Sequence, residues 1–256
     1  VINPRQDQLL KLINDQGYCT NEDLAKILDV STQTIRRDIK KLGSDKLLIR
    51  HHGGASSLQT KANLDYEVRI VSETDEKNAI AREIANMIPD NSTIFLTIGT
   101  TAETIARHLL EKRNLQIITN SLRVANVLHV NNSFDVSVPS GKVKASNGGI
   151  VGTEVNEFIT NFRFDYFITS IASIDVDGTL LEYDLFESSV SKAVMQAARN
   201  VIVAADSTKF IPRGSVELGH LDTVDHLFTD QPLSSALDAV AKKSGTEVHI
   251  CSSNAN

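Results

Sequence analysis

Residues 30–42 read Val-Ser-Thr-Gln-Thr-Ile-Arg-Arg-Asp-Ile-Lys-Lys-Leu. Within them Ile35, Ile39 and Leu42 recur at i, i+4 and i+7, the apolar face of a helix. Ser31 is a capping residue just ahead of that face, and Gly43 is expected to end the helix. With that face buried, the helix shows Thr32, Gln33, Thr34, Arg36 and Arg37 near its start, and Lys40 and Lys41 further on. Short polar and amide side chains meet base edges in a major groove, while cations beside them hold phosphates. The helix N-terminus at Ser31 is itself favourable to an anion. The stretch therefore predicts a recognition helix for double-stranded DNA. Two blander readings stand beside it: a solvated basic face, or a three-helix protein-binding module.

Upstream, Leu9, Leu12 and Ile13 predict a helix over 5–16, ended by Gly17. Thr20 or Asn21 is placed to cap a short helix carrying Leu24, Ile27 and Leu28, and Asp29-Val30 forms the turn into the helix of Ile35. Downstream, residues 46–50 are too short and too β-rich for another helix, and 51–54 read as a turn. Arg50, His51, His52 and Gly53 on this strand and turn are expected to reach the neighbouring phosphate backbone as a wing.

Charge follows the same division. The chain of 256 residues has a formal net charge of −6. Residues 1–58 nevertheless hold nine Lys/Arg against seven Asp/Glu, so the basic patch on this acidic protein points to a polyanion at one place only. No apolar run approaches the roughly 20 residues that cross a bilayer, and no membrane partner is expected. The first residues lack a secretory pattern. Cys19 and Cys251 have no metal-ligand spacing and read as free thiols of a reducing compartment, so a cytoplasmic location is expected. No metal and no cofactor is expected.

Residues 58–75 read as a linker after a DNA-binding domain over 1–57. Beyond it, helices are expected at 76–88, 101–111, 121–129, 187–199 and 233–243. Strands are expected at 94–98, 116–119, 134–138, 165–171, 201–205, 224–229 and 246–251. Strands alternating with amphipathic helices imply a mainly parallel α/β sheet over 76–251, followed by a disordered tail over 252–256. At Gly99-Thr100-Thr101 a strand runs straight into a helix, the geometry of a phosphate site or of a helix cap and nothing more. Thr119-Asn120-Ser121 repeats that arrangement. Gly141 and Lys142, and Asp206 and Lys209, also follow strands, and both lysines can bring charge to a phosphate. Ligands of such sheets sit beyond the carboxyl ends of the strands.

The stretches VSTQTIRRDIKKL (30–42) and RHHGGA (50–55) closely resemble the winged helix of the DeoR family of transcriptional repressors. The resemblance continues through TIGTTAETIARHLL (97–110), NLQIITNSLRVANVL (114–128) and GTLLEYDLFE (178–187). It implies a C-terminal sensor with the fold of ribose-5-phosphate isomerase and glucosamine-6-phosphate deaminase, binding phosphorylated sugars or glycerol 3-phosphate as inducers. It also implies a homo-oligomer, dimer or tetramer. The effector residues it supports are Gly99, Thr100, Thr101, Thr119, Asn120, Gly141, Lys142, Glu187, Asp206 and Lys209. The chain departs from the family pattern at Thr97, where an aspartate is usual, and at Ser140, Ser170 and Ser173, where glycines are usual. Ser191 stands for a lysine, with Lys192 beside it. A side chain in place of hydrogen can block close backbone approach, and a lost carboxylate removes a hydroxyl acceptor. The rival functions are a sugar-phosphate isomerase, with Glu182, Asp184, Glu187, Asp206 and Lys209 as candidate groups, and a DNA-binding protein whose C-terminal part only oligomerises. Fold alone does not carry catalysis, and the missing carboxylate at Thr97 favours sensing over an enzyme.

Overall fold

A computed structural model describes residues 3–16, 18–45, 47–50, 53–56, 74–211 and 213–252. The chain divides into two compact units, Val1–Thr74 and Asp75–Asn256.

The first unit contains α1 (Pro4–Gln16), β1 (Tyr18–Thr20), α2 (Asn21–Ile27), α3 (Thr32–Ser44), β2 (Ile49–Arg50) and β3 (Gly54–Ser56). Proline at the first helical position costs α1 nothing, because that N–H has no intrahelical partner. Thr20, not Asn21, caps α2: its hydroxyl accepts from the Asp23 N–H at 3.0 Å and donates to the Asp23 carboxylate at 2.7 Å. Asp29, at φ 50°, turns the chain between α2 and α3, and Ser31 caps α3 by accepting from the Thr34 N–H at 3.2 Å. Leu9 and Ile13 of α1, Leu24 of α2, and Ile35, Ile39 and Leu42 of α3 close one core with Leu48 and Ala55. The strands form an antiparallel sheet in the order β1-β3-β2. A buried polar lock ties α1 to α3, since Asp38 accepts from Arg5 Nε at 2.7 Å and Gln6 Nε2 at 2.8 Å. Burial works against the Asp38 charge, but these two donors outweigh it and hold the carboxyl below its usual range.

Two boundaries differ from the sequence reading. Helix α3 runs through Gly43, because the Ser44 hydroxyl bonds the Lys41 and Lys40 carbonyls at 2.7 and 3.0 Å and carries the last turn on. The strand expected over 46–50 shrinks to Ile49–Arg50, because the Leu47 N–H is drawn back to the Leu42 carbonyl at 3.0 Å and Leu48 turns into the core. Gly17, His51 and His52, the linker before Thr74 and the tail beyond Ser252 lie outside the described residues.

Helix α4 (Thr74–Met87) starts at the last residue of the first unit, two residues before the expected start, and has Asp75 and Glu76 favourably placed in its first turn. The second unit continues with β4 (Thr93–Leu96), α5 (Thr100–Leu109), β5 (Gln116–Thr119), α6 (Leu122–Leu128), β6 (Asp135–Ser137), β7 (Lys142–Val143), β8 (Ile150–Val151) and α7 (Thr153–Ile159). Then come β9 (Phe164–Ser170), β10 (Ser173–Ile174), β11 (Thr179–Glu182), α8 (Leu185–Ala197), β12 (Ala198–Ala204), β13 (Val216–His220), β14 (His226–Thr229), α9 (Ser235–Ser244) and β15 (Glu247–Ile250). Seven strands make a parallel sheet in the order β15-β14-β12-β9-β4-β5-β6. Alternate residues of each strand feed opposite cores. Ile94 and Leu96 pack with Ile80, Ile84 and Ile105 on one face, while Phe95 packs with Val155, Val190 and Val194 on the other. Phe95 meets Phe164 and Phe167 edge-on, at ring-centroid distances of 5.5 and 6.0 Å. A small antiparallel sheet β10-β11-β13 and the hairpin β7-β8 complete the unit. No helix among the described residues is long and apolar enough to cross a membrane.

The order in which the chain lays down the sheet locates a site. β4 comes first; β5 and β6 then build to one side, and β9, β12, β14 and β15 to the other. The crevice beyond the carboxyl ends of β4 and β9 is therefore the switch point, where ligands of open parallel sheets bind.

Candidate DNA-binding and effector sites

In the first unit, the positions left exposed on α3 form a stripe. Gln33, Arg36, Arg37 and Lys40 stand at i, i+3, i+4 and i+7 and are all exposed, while Ile35, Ile39 and Leu42 are buried. Thr32 is half-buried beside them. Ser31 and Thr34 are partly engaged with each other, their hydroxyls 2.9 Å apart, so the cap that starts α3 also sets two of its expected contact residues. Arg50 is exposed on β2. Gly53 fixes the approach of the chain to α2, its carbonyl accepting from the Asn21 N–H at 2.8 Å.

In the second unit, Gly99 follows β4 at φ 141°, a conformation that L side chains rarely adopt, and begins α5 without any capping side chain. The first-turn N–H groups of α5 are thus left to a ligand or solvent. Thr100 and Thr101 are buried at this turn. A Cβ added at Gly99 would lie 2.7 Å from Ser170 Oγ at the end of β9, so the backbone of one strand end sits directly against the side chain of the next.

The hairpin β7-β8 folds onto the same edge. The Ile150 N–H donates to the Asn120 carbonyl at 2.7 Å, and the Leu122 N–H to the Gly148 carbonyl at 3.1 Å. A Cβ on Gly149 would clash with Ile98, and one on Gly141, at φ 153°, would meet Ile150 at 2.9 Å. Asn120 is buried, with its Nδ2 3.4 Å from the Ile150 carbonyl and its Oδ1 without a hydrogen-bond partner. Glu103, one turn into α5, is also buried. Its Oε1 lacks a hydrogen-bond partner, and burial raises its pKa against the pull of Arg123 and Arg107. The hairpin therefore packs against the turns after both β4 and β5, at Ile98 and at Asn120.

Of the other expected effector residues, Thr119, Asp206 and Glu187 are engaged within the fold. The Thr119 hydroxyl accepts from the Ser121 N–H at 3.1 Å. Asp206 is buried and caps the turn Ser207–Lys209, accepting from the Thr208 N–H at 3.1 Å and from the Thr208 hydroxyl. Lys209 is half-buried on that turn, and Lys142 is exposed on β7. Glu187 is bound by Lys144 Nζ at 2.6 Å and by Asn147 Nδ2 at 2.9 Å, and the same Lys144 reaches Asp184 at 2.8 Å. Asp184 caps α8, accepting from the Phe186 and Glu187 N–H groups. Lys144, Asn147 and Asp184 thus clamp the hairpin onto α8. Sequence reading passed over Lys144 and Asn147, and placed Asp184 only among the groups of a rival enzyme. Of the family departures, Thr97 donates to Thr169 Oγ1 at 3.1 Å, and Ser173 accepts from the Arg213 and Gly214 N–H groups at 3.0 and 3.1 Å.

Burial disfavours the Lys144 ammonium, but Asp184 and Glu187 outweigh it and raise its pKa. Burial likewise disfavours the Asp184 carboxylate, which Lys144 and the helix N–H groups hold below its usual range. The Asp184 contribution to stability is therefore complete above the ordinary carboxylate pKa of about 3.9 and is lost as pH falls through its lowered value. The Lys144 contribution is complete below about 10.4 and is lost as pH rises through its raised value. Lys144→Met is expected to cost about 2 kcal/mol in urea unfolding at neutral pH, between an exposed pair and a fully buried one. It should also flatten the acid limb of the stability curve. A variant as stable as the parent across that range would mean the clamp carries no load.

A winged helix-turn-helix with an exposed basic stripe, in one chain with a parallel α/β unit, is the architecture of a transcription regulator. Residues 5–61 match the DeoR-like helix-turn-helix domain, and residues 72–231 match the DeoR C terminal sensor domain. The chain belongs to the DeoR family, and it is a regulator rather than an enzyme. It is 48% identical to the HTH-type transcriptional repressor CsqR of Escherichia coli K12 over 96% of this chain and 94% of that one. It is 38% identical to the glycerol-3-phosphate regulon repressor of the same organism over 96% and 98%. Among solved structures, ribose 5-phosphate isomerase A from Methanocaldococcus jannaschii is 16% identical over 55% of this chain and 56% of that one, with a TM-score of 0.42.

Proposed function

We propose that this chain represses a carbon-catabolism operon by placing α3 on operator DNA, and that a phosphorylated small molecule bound at the β4–α5 turn releases it. The observation that carries the DNA half is the stripe Gln33, Arg36, Arg37 and Lys40, exposed opposite a buried apolar face. The effector half is supported by the uncapped N-terminus of α5 at Gly99, with Thr100, Thr101 and Asn120 as donors to the ligand. Glycerol 3-phosphate is the first candidate, from the name of the 38% identical relative; a sugar phosphate is the second. A homo-oligomer, dimer or tetramer, would set paired α3 helices on repeated half-sites. We place the DNA-binding domain at 1–57, the linker from 58 to the start of α4 and the effector domain from there to 251, in the cytoplasm.

The test is binding to the DNA upstream of the protein's own gene at fixed salt, titrated with glycerol 3-phosphate. Release of the complex supports both halves. A complex indifferent to glycerol 3-phosphate and to sugar phosphates, with no rise in melting temperature from any of them, would refute the sensing half, since a ligand of the native state stabilises it by mass action. Thr100→Ala is expected to raise the inducer concentration for half-release by about 10- to 100-fold, because a hydrogen bond to a charged group is worth about 1.5–3 kcal/mol and 1.4 kcal/mol is tenfold, with inducer-free operator affinity unchanged. An undiminished response would remove Thr100 from the site.

A further inference from the structure

At the far end of the sheet from β6, three metal-ligating side chains meet. His226 and Glu247 are the first residues of the adjacent parallel strands β14 and β15 and stand opposite each other in register. His249, two residues beyond Glu247, shares its face of the sheet. His226 Nδ1 lies 3.2 Å from His249 Nε2 and 3.4 Å from one Glu247 oxygen, and the other Glu247 oxygen lies 3.8 Å from His249 Nε2. We propose that His226 Nδ1, His249 Nε2 and the Glu247 carboxylate hold a divalent transition-metal ion of the zinc type.

Two of the three separations fit that class, and the third, at 3.8 Å, is closed by a small rotation of the exposed Glu247 carboxylate. A tetrahedral ion with bonds of about 2.0–2.1 Å to nitrogen and oxygen sets its ligand atoms about 3.3 Å apart. The donors suit it too: two imidazoles and one carboxylate match zinc, and three protein ligands leave a fourth position for water. Calcium or magnesium would call for an oxygen-only set. The His249 ring is held in plane by Phe228, stacked at a centroid distance of 4.3 Å and 12°, which fixes the direction of its lone pair. Solvent reaches the site from the side of Glu247, which is exposed, and His249 also lines a cleft of about 260 Å³ with Arg82, Glu83, Cys251 and Ser252. The one cation of that lining is held off by its own partners, Arg82 reaching Glu83 and the Ser252 carbonyl at 3.5 Å each. Each neutral ring gives the ion a lone pair, so a proton lying between the rings moves to the outer nitrogen of its own ring. No oxidation or bond cleavage is involved. The site lies at the amino ends of the strands, opposite the edge that carries Gly99, and an ion there ties the last two strands of the sheet together.

The full-length protein, stripped with a chelator and desalted, should bind one zinc ion per chain in equilibrium dialysis. Its melting temperature should rise with zinc, and it should give the visible absorption of a four-coordinate cobalt(II) site when cobalt is added. His226→Gln and His249→Gln should each weaken zinc binding by more than about tenfold, a loss that even second-shell changes reach. Glu247 is exposed, so Glu247→Gln keeps the fold and tests the third ligand on its own, again by loss of affinity and of the cobalt spectrum. Zinc binding unchanged in all three variants would overturn the proposal. So would absence of stoichiometric binding by the parent, leaving the two rings as a hydrogen-bonded pair only.

Discussion

Replacing Arg36 and Arg37 together by alanine is expected to weaken operator binding by about 30-fold to about four orders of magnitude, with the fold intact. Each arginine that contacts a base edge or phosphate is worth about 1–3 kcal/mol, so the pair is worth about 2–6 kcal/mol, with tenfold per 1.4 kcal/mol. Both are exposed and stand on the face opposite Ile35, Ile39 and Leu42, so neither removal opens a cavity. The thermal transition of each variant should match that of the parent. Salt separates the roles: an arginine on phosphate lowers the slope of log affinity against log salt by about 1 when removed, whereas one on a base edge relaxes sequence preference instead. Unchanged affinity of the double variant, measured at one salt concentration on the same DNA, would refute the assignment of α3 as the reading helix.

What made α3 legible also shows what was not. Ile35, Ile39 and Leu42 repeat at helical spacing for three turns, and Ser31 sits where the cap must be, so period and cap agree. Apolar period alone carries α4, α5 and α8, and β4, β9 and β12 show the apolar runs of strands buried on both faces. By contrast, β7, β8 and β10 are two residues long and carry no period, and α7 begins after Gly152 without a capping side chain. The end of α3 misleads for a local reason, since Gly43 looks like a terminator while the Ser44 hydroxyl carries the last turn past it. The turn at Gly99 could be read because strand, glycine and helix are contiguous. The clamp on the hairpin could not, because Lys144 lies 40 residues from Asp184 and 43 from Glu187. Only the third dimension brings them together, and it turns Glu187 from an expected ligand group into a partner of Lys144 and Asn147.

Gly99→Val is expected to destabilise the sensor unit by about 2–6 kcal/mol and to make any surviving folded protein deaf to inducer. A φ of 141° with ψ of 156° belongs to a region used almost only by glycine, and a side chain held there costs about 1–3 kcal/mol. Valine adds methyl groups to a buried turn, which costs about 1–3 kcal/mol more. The two causes can be separated through Ser170, whose Oγ is, among the described residues beyond the chain neighbours, the one heavy atom within 4 Å of a Cβ at Gly99. Ser170→Gly removes that oxygen but leaves φ as it is. Paired with Gly99→Ala it should therefore return only the steric part of the cost, as a positive coupling in a double-mutant cycle of urea unfolding. Complete rescue would place the whole cost in packing and none in the backbone; zero coupling would mean that Ser170 does not face Gly99. The inducer readout rests on the same geometry. An anion at the N-terminus of α5 must come close to the backbone, and a branched side chain at Gly99 occupies that approach whether or not the sheet beneath it tolerates the strain.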